Sequence, residues 1–80
     1  MNSNMENNFE KVSKWFKQNC TCHLDNSDDG MFNSIIQKVV GDFDVEDFYD
    51  FCYENDIQCD VSCKTLHFFD LLEVQVIIKK

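Results

Sequence analysis

The stretch that decides the fold is LEVQVII at residues 72–78, where apolar side chains stand at every second position. A period of two is that of a β-strand with one buried face. The stretch IQCDVSC at residues 57–63 alternates in the same way. The intervening residues 64–71 fit either a continuation of this strand or a short helix that begins at Thr65. Two strands so close in sequence predict a small antiparallel sheet.

Two segments before these strands have helical spacing. Apolar residues recur three and four apart over residues 4–19, which predicts a helix capped by Ser3 or Asn4. Residues 31–40 carry apolar pairs four apart, which favours a second helix ended by Gly41. The β-branched content of this second segment also suits a strand.

The remaining segments complete a small domain. Residues 20–25 alternate like a short strand, and residues 25–30 have the composition of a loop. Residues 44–55 predict a third helix that begins at an acidic cap. The order is αβααββ, and we expect an α+β fold in which about three helices pack on a two- to three-stranded antiparallel sheet. The chain is expected to form a single compact domain over 1–80, with 1–4 frayed.

The negative charge is concentrated in the middle of the sequence. The chain has a net charge of −8, but residues 25–60 contain eleven carboxylates against Lys38 alone, for a net charge of −10. Residues 1–24 and 61–80 each have a net charge of +1. With only seven Lys and no Arg, the chain is not expected to bind nucleic acid itself.

The third helix is predicted to bury one face, which includes Tyr49, and to present an acidic face on the opposite side. Glu46, Asp50 and Glu54 follow one another at i,i+4, where like charges destabilise a helix by about 0.2–0.5 kcal/mol per pair. One interpretation is a solvated face that supplies solubility. The other is a surface complementary to a Lys/Arg-rich groove, with aromatic anchors at its rim. The predicted partner-binding residues are Asp42, Asp44, Glu46, Asp47, Asp50, Phe51, Tyr53, Glu54 and Asp56.

Four cysteines suggest an alternative role in metal binding. Cys20 and Cys22 lie on one predicted strand, and Cys59 and Cys63 lie on another. If these strands were neighbours, the four thiolates could converge on a zinc ion. Strand alternation equally explains the cysteines as small core residues. Five cysteines are an odd number in a chain without secretory features, so we expect reduced thiols.

The loop before the second predicted helix matches the opening of a calcium-binding loop. Asp25, Ser27 and Asp29 occupy positions one, three and five, and Gly30 occupies position six. Position twelve is Ile36, where a bidentate Glu is required. The match is therefore half a motif, and we expect no bound cofactor. The plainer interpretation is a loop with a capping Asp.

Catalytic motifs are missing from the sequence. There is no nucleophile elbow, no glycine-rich phosphate loop and no HEXXH pair. His23 and His67 stand apart from any motif. The chain is therefore expected not to be an enzyme.

The composition indicates an AT-rich coding sequence. Ala, Arg and Pro are absent, while Phe, Tyr, Met, Ile, Asn and Lys make up 33 of the 80 residues. A short, acidic chain of this kind is similar in composition to phage-encoded inhibitors of host defence or transcription, including anti-CRISPR proteins. Since no signal peptide or long apolar stretch is present, we expect a cytoplasmic protein, or one of the host cytoplasm if it is phage-encoded.

Three functions follow from these patterns. The leading hypothesis is a non-catalytic inhibitor, such as a nucleic-acid mimic, whose acidic central region docks on a basic surface of a host protein. The first alternative is a small zinc- or calcium-binding module. The second is a self-associating assembly protein that pairs through Val74 to Ile78, if these residues form an edge strand.

Overall fold

The computed structural model describes residues 7–66 and 70–79, which form two helices and five strands. The elements in chain order are α1 (Asn8–Asn19), β1 (Thr21–Asp25), β2 (Asp28–Asp29), β3 (Asn33–Gly41), α2 (Val45–Glu54), β4 (Cys59–Thr65) and β5 (Leu72–Lys79).

The strands form one antiparallel sheet in the order β1-β3-β5-β4, and β2 also pairs with β3. The central pair is β3 with β5, which runs without interruption from Asn33 opposite Lys79 to Val40 opposite Leu72. The α+β class and the antiparallel sheet were predicted correctly. The predicted numbers of elements were wrong. The structure has two helices and five strands, whereas about three helices and two or three strands were predicted.

Helix α1 begins and ends with side-chain caps. The Asn7 side chain accepts a hydrogen bond from the Glu10 N–H at 2.8 Å, and the Asn19 side-chain amide donates to the Trp15 carbonyl at 2.9 Å. The first bond satisfies an N–H that has no partner inside the helix, and at the other end the backbone N–H of Cys20 satisfies the Phe16 carbonyl at 3.0 Å. The predicted caps, Ser3 and Asn4, lie outside the described residues.

Aromatic rings join the two helices into one layer. Trp15 of α1 lies 5.1 Å from Phe48 of α2 between ring centroids, and Phe16 stacks on Phe43 at 5.6 Å. Edge-to-face and offset pairs of this kind contribute about 0.5–1.5 kcal/mol beyond area burial. Beneath the rings lie alternate residues of the two central strands, Ile36, Val40, Val74, Val76 and Ile78. The core therefore sits between the helices and one face of the sheet.

The prediction of a helix over residues 31–40 was wrong, because residues 33–41 form strand β3. Burial alternates along β3, with Ser34, Ile36, Lys38 and Val40 buried. Two of these four buried residues are polar, so the hydrophobic residues of the sequence do not show the period of two that the burial follows. Ile35 and Val39 on the opposite face are only half-buried, and they supply the apolar pairs that imitate a helix. Gly41 is paired with Thr21 and does not cap a helix.

The expectation that Val74 to Ile78 forms an edge strand was also wrong. Strand β5 is paired with β3 on one side and with β4 on the other. Its main-chain groups are therefore used within the sheet, and Val74, Val76 and Ile78 are buried. The sheet edges lie instead at β4 and at β1 with β2. None of the described helices is long and apolar enough to span a lipid bilayer.

Candidate functional site

Helix α2 begins at the predicted acidic cap. Asp44 has extended backbone, and its side chain accepts a hydrogen bond from the Glu46 N–H at 3.0 Å. Glu46 and Asp47 lie in the first turn, where negative charge stabilises the helix dipole. Phe48 and Cys52 point into the core. The opposite side of α2 is free to face solvent.

The exposed side of α2 carries two adjacent stripes. Val45, Tyr49 and Tyr53 follow one another four residues apart and form an apolar stripe. The side chains of Tyr49 and Tyr53 are 49% and 88% exposed. Each residue of the apolar stripe is followed by an exposed acidic residue, and these form an acidic stripe of Glu46, Asp50 and Glu54. Asp47 is also exposed and lies beyond this stripe. We call the two stripes together the α2 surface.

The carboxylates of the α2 surface are not neutralised within residues 7–66 and 70–79, where the ion pair described is Lys38 with Asp25. From Val39 to Cys63 the sequence holds eight carboxylates and no Lys. Carboxylates one helical turn apart are separated by roughly 6 Å and repel one another. Their field therefore extends into solvent and attracts cationic groups.

The C-terminus of α2 is a Schellman motif with an unusual residue at its left-handed position. The Asp56 N–H donates to the Tyr53 carbonyl at 3.3 Å, and the Ile57 N–H donates to the Cys52 carbonyl at 2.9 Å. Asp56 has φ 55°, where glycine is the preferred residue. Its charge also lies at the negative end of the helix dipole. Glu54 is in the same unfavourable field, and the last turn of α2 has no basic residue.

Two predicted roles on α2 change places in the structure. Phe51, predicted as a rim anchor, is partly buried and packs against the core, with its ring 6.0 Å from Trp15 and 6.3 Å from Phe48. Tyr49, predicted to lie on the core face, is half-exposed. The ideal helical wheel leaves both residues at a boundary, and the position of Trp15 decides which side is covered. The remaining predicted residues are exposed on α2 or beside it: Asp42, Asp44, Glu46, Asp47, Asp50, Tyr53, Glu54 and Asp56.

The loop that resembles a calcium site uses its oxygen atoms internally. The Asp25 carboxylate accepts hydrogen bonds from the Ser27 N–H and from the Lys38 ammonium, both at 2.9 Å. Asp29 accepts a hydrogen bond from the Ser34 hydroxyl. A lysine ammonium already occupies the side of Asp25 that a cation would need. A calcium-binding EF-hand loop lies between two helices, whereas this loop is preceded by strand β1, as predicted, and followed by strand β3 in place of the predicted helix.

The cysteines do not converge as the zinc hypothesis requires. Cys22 lies on β1 and Cys63 on β4, at opposite edges of the sheet. Three strand spacings of about 4.8 Å separate these edges, whereas thiolates on one zinc ion lie within about 4 Å of each other. A different pair is close, since the Cys52 and Cys59 sulfur atoms are 3.7 Å apart. Among the described residues, no cluster of three or more His, Cys, Asp or Glu could hold a metal ion.

The comparisons with known proteins give no family for this chain. No protein-family model, curated protein or solved structure matches it.

Proposed function

We propose that this chain is a non-catalytic protein-binding module whose α2 surface docks on a Lys/Arg-rich surface of another protein. The observation that carries the proposal is the pairing of the exposed tyrosines Tyr49 and Tyr53 with an acidic stripe that has no neutralising partner in the described part of the chain. Tyrosines supply buried anchors at interfaces, and charges around them speed association and select the partner.

The local cost of the acidic residues supports a role beyond solubility. Glu46, Asp50 and Glu54 repel one another along the helix, and Glu54 and Asp56 oppose the helix dipole. Asp56 also occupies a backbone conformation that glycine adopts with less strain. A surface that served solubility alone would gain stability from interspersed Lys residues. Binding of a cationic partner would offset these repulsions.

The geometry favours a partner that ordinarily binds nucleic acid. A row of carboxylates about 6 Å apart presents negative charge in the manner of a phosphate backbone. Exposed tyrosine rings beside that row offer flat faces of the kind that bases present to aromatic residues. We therefore propose an inhibitor that acts as a nucleic-acid mimic. The similarity of its composition to phage anti-defence inhibitors, including anti-CRISPR proteins, gives a nucleic-acid-dependent defence or transcription protein as the target class.

The experiment that tests this function is capture from a lysate of the native host with matched variants. The test variant carries Glu46→Lys, Asp50→Lys and Glu54→Lys. The control variant carries the same charge change at exposed sites outside α2: Glu10→Lys, Asp28→Lys and Asp70→Lys. We expect the wild-type and control chains to capture the same basic protein, and the test variant to lose it. The complex should weaken steeply as salt rises.

The captured protein is then mixed with a labelled oligonucleotide that it binds. We expect the wild-type chain to displace the oligonucleotide and the test variant to leave it bound. A partner retained by the test variant would contradict docking through α2. If the wild-type chain binds the captured protein but does not displace the oligonucleotide, nucleic-acid mimicry is contradicted. The chain would then be a binding module of another kind.

A further inference from the structure

Strand β4 forms an open edge of the sheet. All seven of its residues pair with β5 in one continuous register, from Cys59 opposite Ile78 to Thr65 opposite Leu72. On its other side, no strand pairs with β4 among residues 7–66 and 70–79. Most of its side chains are exposed. A row of main-chain N–H and C=O groups is therefore available to a further strand.

The opposite edge of the sheet is built differently. Strands β1 and β2 share that edge, and β2 has only two residues. The register of β1 shifts between Cys22 and Leu24, so His23 bulges out of the ladder. Short strands and bulges are the usual protection of a sheet edge against pairing. Strand β4 has neither feature, and it contains no Pro.

The charges of β4 are arranged symmetrically about its centre. Asp60 and Lys64 are its charged residues, and each stands two positions from Ser62. If two copies of β4 paired antiparallel with Ser62 opposite Ser62, Asp60 of each copy would lie opposite Lys64 of the other. Registers centred on Asp60 or Lys64 would instead place like charges together. Opposite charges directly across an antiparallel pair stabilise it, and like charges destabilise it.

We infer that two copies of this chain associate through β4, in an antiparallel pair centred on Ser62. The partner is a second copy because one strand supplies both halves of the charge pattern, as a twofold-symmetric interface requires. The two five-stranded sheets would join into one continuous sheet, with Asp60, Ser62 and Lys64 on the face away from the helices. This interface is separate from the α2 surface and does not depend on the proposed function.

The test is a charge-exchange experiment by sedimentation equilibrium. Wild-type chain is examined between about 10 and 500 µM, so that mass action can populate the dimer. The salt concentration is about 0.3 M, where a Debye length of roughly 6 Å suppresses the long-range repulsion between acidic copies. We expect the wild type to dimerise. Asp60→Lys places Lys opposite Lys twice, and should raise the dissociation constant about tenfold or more.

Two further samples separate the strand register from net charge. Lys64→Asp places Asp opposite Asp twice and should also weaken the dimer, but an equal mixture of Asp60→Lys and Lys64→Asp chains should form heterodimers with both attractive pairs restored. Asp28→Lys makes the same charge change as Asp60→Lys at the far edge of the sheet. This control should dimerise at least as well as the wild type.

Several results would overturn the inference. The wild-type chain could stay monomeric over the whole concentration range, or the Asp60→Lys chain could dimerise as well as the wild type. The mixture of Asp60→Lys and Lys64→Asp chains could also show no heterodimer. Circular dichroism of each variant confirms that it is folded. The triple α2 variant should dimerise normally, so loss of β4 pairing and loss of partner binding can be told apart.

Discussion

The ammonium of Lys38 lies 2.9 Å from a carboxylate oxygen of Asp25, and the two residues stand directly opposite each other on β3 and β1. Lys38 is only 2% exposed, whereas the Asp25 side chain is 51% exposed. A lysine buried among core residues is strongly disfavoured unless its charge is paired. Asp25 therefore holds a cation inside the helix-covered face of the sheet while its own carboxylate remains in contact with water.

Removing the Asp25 charge should destabilise the fold. Asp25→Asn keeps an oxygen acceptor for the Ser27 N–H but leaves Lys38 unpaired, and we expect a loss of about 2 kcal/mol. Adding Lys38→Met in the same chain replaces the buried charge with an apolar side chain of similar length. Chemical denaturation should show most of the stability recovered in the double variant. An Asp25→Asn chain as stable as the wild type would show that Lys38 does not need its partner.

The same pair should make stability depend on acid pH. Burial by itself raises the pKa of Asp25, but the hydrogen bonds from Ser27 and Lys38 outweigh this effect and hold the pKa at about 2, below the ordinary value of 3.8. A carboxyl with a lowered folded-state pKa contributes stability that is complete above pH 4 and is lost as the pH falls toward 2. Melting curves over this range should show a smaller decline for Asp25→Asn than for the wild type.

Stability and binding should respond in opposite directions at Asp50. Asp50→Lys removes two like-charge contacts on α2 and creates attractive pairs with Glu46 and Glu54. We expect a stabilisation of about 1 kcal/mol, or roughly 4–8 °C in Tm for a domain of this size. The same change should weaken capture of the proposed partner. A destabilised Asp50→Lys chain would contradict the account of α2 as an electrostatically strained helix.

The Schellman position can be improved by substitution. Asp56→Gly relieves both the left-handed backbone strain and the unfavourable charge, and should stabilise the protein by about 1 kcal/mol. Asp56→Asn removes the charge and keeps a side chain that tolerates this conformation. Its stability should therefore lie between that of the wild type and that of Asp56→Gly. Thermal unfolding of the three chains gives the order. If Asn equals Gly, the charge alone is responsible.

Thiol reactivity should follow burial. Cys22 is exposed, whereas Cys52 is buried and burial raises its pKa to about 12. At pH 8 its thiolate fraction would be on the order of one in ten thousand. Iodoacetamide followed by peptide mass spectrometry should label Cys22 quickly and Cys52 only after denaturation. Rapid labelling of Cys52 in the native state would show that α2 opens away from the sheet.

The parts of the fold that follow a simple period were predictable from the sequence. Helix α1, helix α2 and strand β5 appear close to their expected positions because each buries one regular face. Strands β1 and β4 also appear near the segments whose sequences alternate, although all five residues of β1 are exposed. Strand β3 was misassigned because its buried side includes Ser34 and Lys38, whose burial depends on Asp29 and Asp25 elsewhere in the chain. Partnerships of this kind are tertiary, and no local pattern reports them.

The acidic stripe of α2 was predictable for the same reason, since it needs only helical spacing and charge. The apolar stripe beside it was not. Tyr49 and Phe51 have similar positions on an ideal wheel relative to the core, and the ring of Phe48 contacts both. The ring of Trp15 packs on Phe51, whereas Tyr49 stays half-exposed. That choice depends on how α1 packs against α2. A tyrosine or phenylalanine at the boundary of a helix face has no sequence signal that settles it.

The strand order has a consequence for how the chain folds. Strand β5 lies between β3 and β4 but follows both in sequence. During synthesis, β3 can therefore pair with β5 only after α2 and β4 have been made and β5 has emerged from the ribosome. Until then, the edge of β3 that pairs with β5 in the folded protein has no partner strand. Pairings so distant in sequence also slow folding, because loop closure precedes any gain from the ladder. The sheet can therefore be completed only after β5 has been synthesised.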